Sequence, residues 1–344
     1  MRLLIITQKV DQNDDVLGFF HRWIAEFAKH VEQVTVIALG AGEYHLPNNV
    51  RVFSLGKERG VSRLSYIINF YRLVFRERKN YDTAFVHMNQ EYVLLGGLLW
   101  KLLGKKITMW RNHPAGSLLT RVAMFFSDKL FCTSKYSFTA RSKKTVLMPA
   151  GADTELFQRN DRISRAPQSI LFLGRISPIK NIDVLIDALL EVDQEGYDFT
   201  ATVVGKALPK DEAYEAMIKD RAKPLLDKGK IKFVGSIANR KTPEVYNAHE
   251  LFVNLTDSGS FDKTILEAMA CECITLVSNK SFTGMIPNQF IFTEKDPPDL
   301  ARKIIKALSL SDEEKTKTTQ ASRKFVYEHH SLASLAEQII KEVK

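Results

Sequence analysis

The chain has 344 residues, 45% hydrophobic and 26% charged, a balance that excludes a disordered or fibrous protein, and its length suits two α/β domains better than one core. Its three cysteines, Cys132, Cys271 and Cys273, offer neither an even framework nor a CxxC pair, which excludes a disulfide scaffold and a structural zinc site. The net charge of +9 is one-sided: residues 1 to 165 hold 25 Lys+Arg against 14 Asp+Glu, and the rest 24 against 26, so the first half is expected to meet an anionic partner.

The opening run MRLLIITQKV reads as a first strand and not a signal peptide, since its apolar stretch is short and no small-residue cleavage site follows. Short β-branched runs then alternate with segments of helical period, the pattern of parallel βαβ units. Strands are predicted at Leu3 to Thr7, Gln33 to Leu39, Val50 to Ser54, Thr83 to His87, Lys106 to Trp110, Lys129 to Thr133 and Thr145 to Met148. A first crossover helix is expected over Gly18 to Lys29, with Phe19, Trp23, Ile24 and Phe27 on one face. The longest apolar run, Tyr92 to Leu103, is broken by Gly96, Gly97 and Lys101 and falls short of a membrane-spanning helix. A cytoplasmic protein is the expectation.

The polar, proline-containing stretch 158–168 reads as a linker, which divides the chain into a domain over 1–157 and another over 169–330. In the second, strands are predicted at Ile170 to Leu173, Ala201 to Val204, Ile231 to Val234, Leu251 to Asn254 and Ile274 to Ser278, with helices at Asp183 to Glu191 and Lys263 to Cys271. Residues 331–344 carry Leu332, Leu335, Ile339 and Val343 at helical spacing, and this terminal helix is expected to pack back toward the N-terminal domain. The fold class is therefore α/β, with two Rossmann-like, doubly wound domains facing across a cleft.

Two stretches carry chemistry. In LFLGRISPIKNIDVLIDAL, Leu171 to Leu189, a buried strand runs into a glycine turn at Gly174, then Arg175 and Lys180, then an amphipathic helix. Doubly wound sheets bind ligands beyond such strand ends, where these two cations could converge on a diphosphate; two solvated surface cations would read the same way. In LFVNLTDSGSFDKTILEAMACECITLVSN, Leu251 to Asn279, a strand, a Gly/Ser turn and a helix start succeed one another. The loop Ser258, Gly259, Ser260, Phe261 and Asp262, with the helix amides at Lys263 and Thr264, could hold phosphate or sugar oxygens. Glu267 could accept two ribose hydroxyls if it faced the cleft; its place inside a helix reads as an exposed face.

Together these stretches resemble glycosyltransferase family 4, the retaining GT-B enzymes. GRISPIKN, Gly174 to Asn181, is similar to the family's phosphate loop, and LEAMAC, Leu266 to Cys271, to the end of its Glu-x7-Glu motif. PAGADTELF, Pro149 to Phe157, and Gly18 after the first strand extend the resemblance over nearly the whole chain. The resemblance implies that Arg175 and Lys180 bind the donor diphosphate and Glu267 the ribose. His113, in MWRNHP, takes the place of the family's cleft histidine, with His87 as competitor, and Gly18 would lie close to donor or acceptor. Eight residues before Glu267 stands Gly259, where most of the family has its first glutamate, so Asp257, Asp262 or loop amides are left to contact the sugar.

The activity implied is that of a retaining, nucleotide-sugar-dependent glycosyltransferase with a saccharide or lipid-linked acceptor, in cell-surface glycan synthesis. No Asp-x-Asp and no metal-spaced cluster occurs in the chain, so no metal or cofactor is expected, and the leaving diphosphate would be met by cations and helix dipoles. Alternatives are a GT-B-folded sugar-nucleotide epimerase or phosphorylase, or a catalytically inactive sugar-nucleotide-binding protein. Basic, aromatic-interleaved residues over Ser62 to Lys79 come without a nucleic-acid motif, so no nucleic acid is expected. Peripheral contact with the inner face of a membrane is a further expectation.

Overall fold

The structure, a computed structural model, describes residues 1–14, 16–259 and 261–344. Among these, seven parallel strands form the first sheet: β1 (Arg2–Val10), β2 (Gln33–Ala41), β3 (Val50–Ser54), β4 (Thr83–His87), β5 (Lys106–Trp110), β6 (Lys129–Cys132) and β7 (Thr145–Leu147), in the order β3-β2-β1-β4-β5-β6-β7. The chain winds outward from β1 in one direction, returns, and winds from β4 in the other. Successive residues of β1 serve opposite cores. Leu3 and Ile5 pack with Trp23 and Phe27 on one face, while Leu4 and Ile6 pack with Phe70, Val93 and Trp100 on the other, which is why parallel strands read as unbroken apolar runs.

The second sheet has five parallel strands, β8 (Ala166–Leu173), β9 (Thr200–Val204), β10 (Ile231–Phe233), β11 (His249–Asn254) and β12 (Ile274–Val277), in the order β10-β9-β8-β11-β12. Here the winding reverses between β8 and β11, so the loops after these two strands lie at a topological switch point.

The chain divides into two compact units, Met1–Gly151 with Leu332–Lys344, and Ala152–Ser331. This corrects the expected boundaries. Residues 152–157 and the stretch 158–168, expected as the end of the first domain and a linker, belong to the second unit. Charge and proline suggested an open connection, but tertiary bonds pin it: the Asn160 amide donates to Asn247 Oδ1 at 2.8 Å, and the Arg159 guanidinium to the Asn247 carbonyl at 3.3 Å. Phe157 is buried with its ring 6.0 Å from that of Tyr246. The Ala152 amide donates to the His330 carbonyl at 2.8 Å. The terminal helix spans Leu332–Val343 and belongs to the first unit, with Leu335, Ile339 and Val343 buried in the core that holds Trp23 and Phe27.

Candidate functional site

The loop after β8 is layered on its neighbour. Gly174 N donates to the Val204 carbonyl at 3.0 Å and Ile176 N to that of Lys206 at 3.2 Å. At Gly205, φ is +139° and an added Cβ would lie 1.9 Å from the Gly174 carbonyl oxygen, so only glycine allows this approach. Nothing in the local sequence singled out Gly205. Beyond Gly174 the backbone makes the short turn Pro178–Lys180, and Asn181, at φ 48°, opens the helix Ile182–Gln194. The Asn181 side-chain amide donates to the Leu255 carbonyl and to Asp257 Oδ1, both at 2.9 Å. One side chain thereby ties the loop after β8 to the loop after β11.

The two cations of this loop differ. Arg175 is exposed and has no ion pair among the described residues. Lys180 is half-buried, its ammonium 2.5 Å from Asp262 Oδ2 and donating to Thr256 Oγ1 at 3.2 Å. Asp262 caps the helix Lys263–Ala270: its Oδ1 accepts from the Thr264 amide at 3.2 Å and the Thr264 hydroxyl at 2.9 Å. Its Oδ2 also accepts from Asn254 Nδ2 at 3.0 Å and from Thr256 Oγ1 at 3.1 Å. Although burial opposes the charge, the Lys180 ammonium and these donors hold the Asp262 carboxyl well below the usual carboxylate range.

Glu267, expected from its helical position to be exposed, is buried; the helix Lys263–Ala270 packs almost all round and leaves it 6% exposed. The Tyr246 hydroxyl donates to its Oε2 at 3.2 Å. Burial pushes the Glu267 carboxyl up to about 7, opposed by the Lys263 ammonium and the Tyr246 hydroxyl. Burial likewise drives the Lys263 ammonium well below its ordinary range against the pull of Glu267 and Asp153. Tyr246 and Asp153 as companions of Glu267 carried no sequence signal, because they come from separate segments, whereas Lys263 precedes Glu267 by one helical turn on the same helix.

The segment between β11 and that helix is braced by residues that follow β12. Glu294 Oε1 accepts from the Ser258 amide at 2.8 Å and from its hydroxyl, and Ser258 Oγ accepts from the Lys280 amide at 2.8 Å. Gly259 is buried at φ 105°, a left-handed conformation that favours glycine over the glutamate expected from the family pattern. Phe261 packs on Phe282, ring centroids 4.4 Å apart. Ser260, also expected in the site, lies outside the described residues.

In the first unit, His113 is exposed on the loop after β5, its Nδ1 accepting from the Ala115 amide at 3.1 Å. His87, its competitor, is buried at the end of β4: its ring stacks on Phe20 at 3.7 Å and its Nδ1 lies 3.2 Å from Thr7 Oγ1. Gly18 precedes the helix Phe19–His30, and a Cβ there would lie 2.4 Å from the Asp14 carbonyl oxygen. The turn from β1 itself therefore requires glycine. Residues Arg175, Lys180, Asp262 and Glu267 belong to the second unit, whereas His113 and Gly18 belong to the first.

Residues 153–325 match the glycosyl transferases group 1 family. An uncharacterized glycosyltransferase of Methanocaldococcus jannaschii, MJ1178, is 21% identical over 90% of this chain and 93% of its own. A phosphatidylinositol N-acetylglucosaminyltransferase subunit from Arabidopsis thaliana is 26% identical over 61% of this chain and 49% of its own. Among solved structures, Anabaena HepE in complex with UDP and glucose superposes with a TM-score of 0.79 at 19% identity, over 100% of this chain and 99% of its own. A sucrose-phosphate synthase from Thermosynechococcus elongatus superposes with a TM-score of 0.76 at 14% identity, over 99% of this chain and 98% of its own. These neighbours share the GT-B fold of two parallel-sheet α/β units. The chain belongs to the glycosyl transferases group 1 family, and it is a glycosyltransferase.

Proposed function

We propose that the second unit binds a nucleoside-diphosphate sugar at the switch point between β8 and β11, and that the sugar passes with retention to a saccharide or lipid-linked acceptor served by the first unit. Arg175 and Lys180 take the diphosphate, Glu267 accepts the ribose hydroxyls, and the segment Ser258 to Thr264 lines the sugar. The observation that carries this reading is the junction of the two loops: Lys180 of one meets Asp262 of the other at 2.5 Å, and the loop of Lys180 also carries Arg175, exposed and without an ion pair among the described residues. Membership of glycosyltransferase family 4 is part of the proposal, supported by GRISPIKN and LEAMAC. Crystal structures of HepE with UDP and with UDP-glucose support a nucleotide sugar as donor.

On this reading, negative charge growing on the leaving diphosphate is stabilised by the two cations, which act without a metal ion or other cofactor. His113 orients acceptor or donor sugar from the first unit. The Arabidopsis relative, whose name pairs a sugar transfer with phosphatidylinositol, supports a lipid-linked acceptor, and peripheral contact with the inner face of a membrane is part of the same proposal. The test is donor turnover. Incubated with UDP-, GDP- and ADP-glucose, N-acetylglucosamine or mannose conjugates, the enzyme should release nucleoside diphosphate slowly without an acceptor and faster with one, unchanged by a chelator. Release of none from any donor would favour an inactive binding protein instead.

A further inference from the structure

Lys180 and Asp262 are 82 residues apart in sequence, and the carboxylate that meets the lysine is held with unusual completeness. Asn254 Nδ2 donates to Asp262 Oδ2 at 3.0 Å and to Thr264 Oγ1 at 3.2 Å; Thr264 Oγ1 donates its own proton to Asp262 Oδ1 at 2.9 Å. Thr256 Oγ1 accepts from the Lys180 ammonium at 3.2 Å and donates to Asp262 Oδ2 at 3.1 Å. Among the described residues the network closes on itself, so Asp262 can accept a sugar hydroxyl only by surrendering one of these bonds. Asp257, by contrast, keeps a side chain 41% exposed.

An ammonium has three protons. Two of those on Lys180 are taken by Asp262 and Thr256, and its side chain retains 20% exposure, which leaves the third for a ligand. A lysine on a flexible four-carbon stem would otherwise sample many positions. The carboxylate thus does two opposed things: it fixes where the charge sits, and it weakens the pull of that charge on any phosphate.

We propose that Asp262 is a positioning residue that competes with the nucleoside diphosphate for Lys180, so that the product diphosphate is held loosely enough to leave. The inference rests on the assignment of Lys180 to the diphosphate. A phosphate and a carboxylate cannot both claim the full charge of one ammonium, and the nucleoside diphosphate set free by transfer carries more negative charge than the esterified diphosphate of the donor. The competition therefore bears most on product release, while Arg175, free of any such carboxylate among the described residues, keeps its full attraction for both.

The test measures the affinity of UDP, GDP and ADP by calorimetry and carries forward whichever binds most tightly. Lys180→Met should weaken that affinity. Asp262→Asn removes the charge, and Asp262→Ser removes it while retaining a helix-capping hydroxyl. Each should tighten the nucleoside diphosphate roughly tenfold, lower the KM for the donor and lower kcat. In the Lys180→Met background the same substitutions should change affinity little, since the effect acts through the lysine. A purely structural role for Asp262 would loosen binding and lower the melting temperature. Weakened or unchanged affinity in folded Asp262 variants, or equal tightening without Lys180, would overturn the proposal while leaving the donor site intact. No loss of affinity in Lys180→Met would remove both.

Discussion

At Glu267, burial and recognition pull against each other. Its carboxyl is pushed up to about 7 from an ordinary 4.5, chiefly by burial, yet a ribose needs it ionised to accept two hydrogen bonds. Donor affinity should therefore fall as pH drops through about 7, and the Glu267→Gln enzyme should bind more weakly with no such dependence; titrations at pH 6 and pH 8 decide it. The sign for stability is the reverse. A carboxyl raised in the folded state contributes stability that is present below its unfolded value near 4.5 and is lost as pH rises through about 7. Glu267→Gln should accordingly melt higher than the parent at pH 8, with the difference shrinking as pH falls from 7 toward 5 and vanishing below about 4.5. Arg175→Ala removes a cation with no competing partner among the described residues and should cost about 10 to 200-fold in transfer efficiency; a folded variant with parental kinetics would exclude Arg175 from the site. The candidate residues of this site came from the resemblance carried by GRISPIKN and LEAMAC, because spacing alone left Arg175 and Lys180 open to a reading as surface cations and put Glu267 on an exposed helix face. Their partners were not legible: Glu294 braces Ser258 from 36 residues away, and nothing local in either segment encodes that contact.

Among the elements, the terminal helix Leu332–Val343 separates what periodicity can say from what it cannot. Leu332, Leu335, Ile339 and Val343 recur at helical spacing, and all are buried. Spacing specifies an apolar face and not the surface that receives it. That surface is the helix Phe19–His30 beside the first sheet, where Leu335 meets Trp23 near Gly151. Leu335→Ala should cost about 2 to 5 kcal/mol, as buried leucine truncations do, seen as a lower denaturation midpoint with nucleotide affinity in the second unit unchanged. Gly151 has φ +69°, and an added Cβ would lie 2.4 Å from Leu335 Cδ2 and 2.7 Å from the Trp23 ring. Gly151→Ala should therefore destabilise through both backbone strain and overpacking; unchanged melting would contradict that packing.

For the molecule as a whole, the excess of cations in the first half coincides with a row of helices whose outer faces are not fully covered. In the helix Arg63–Arg76, Phe70, Leu73 and Val74 are buried on the sheet while Leu64, Ile68 and Phe75 remain exposed among Arg63, Arg72 and Arg76. The Tyr71 hydroxyl donates to the Leu95 carbonyl at 2.8 Å, tying it to the helix Gln90–Leu102, which exposes Leu98 and Leu102. The next helix, Leu118–Phe126, exposes Leu118, Leu119 and Phe125, and Phe126 sits where a Cβ on Gly97 would fall. Apolar side chains rimmed by arginine favour an anionic lipid surface. The chain should co-sediment with vesicles containing phosphatidylglycerol and not with neutral phosphatidylcholine, less so at high salt, and Leu64→Ser with Phe75→Ser should reduce the binding. Equal binding to both vesicle types, or to neither, would count against it. No helix among the described residues is long and apolar enough to cross a membrane.

Local pattern was enough to specify the two parallel sheets, the position of each of their strands, the first crossover helix, the helices beginning near Asp183 and Lys263, the terminal helix, and the loops that carry the candidate donor groups. Strand and helix periods, glycine turns and residue types at short spacing are all properties of neighbouring residues. Folding in three dimensions settled the rest: the division falls after Gly151, the polar stretch 158–168 is bonded into the second unit, Glu267 is buried beside Tyr246, and Asp262 holds Lys180. Each of these is a contact between segments far apart in the chain. Such contacts arise when the winding of a sheet brings two strand ends together, as the reversal between β8 and β11 does here, and no run of neighbouring residues records the partner it will meet.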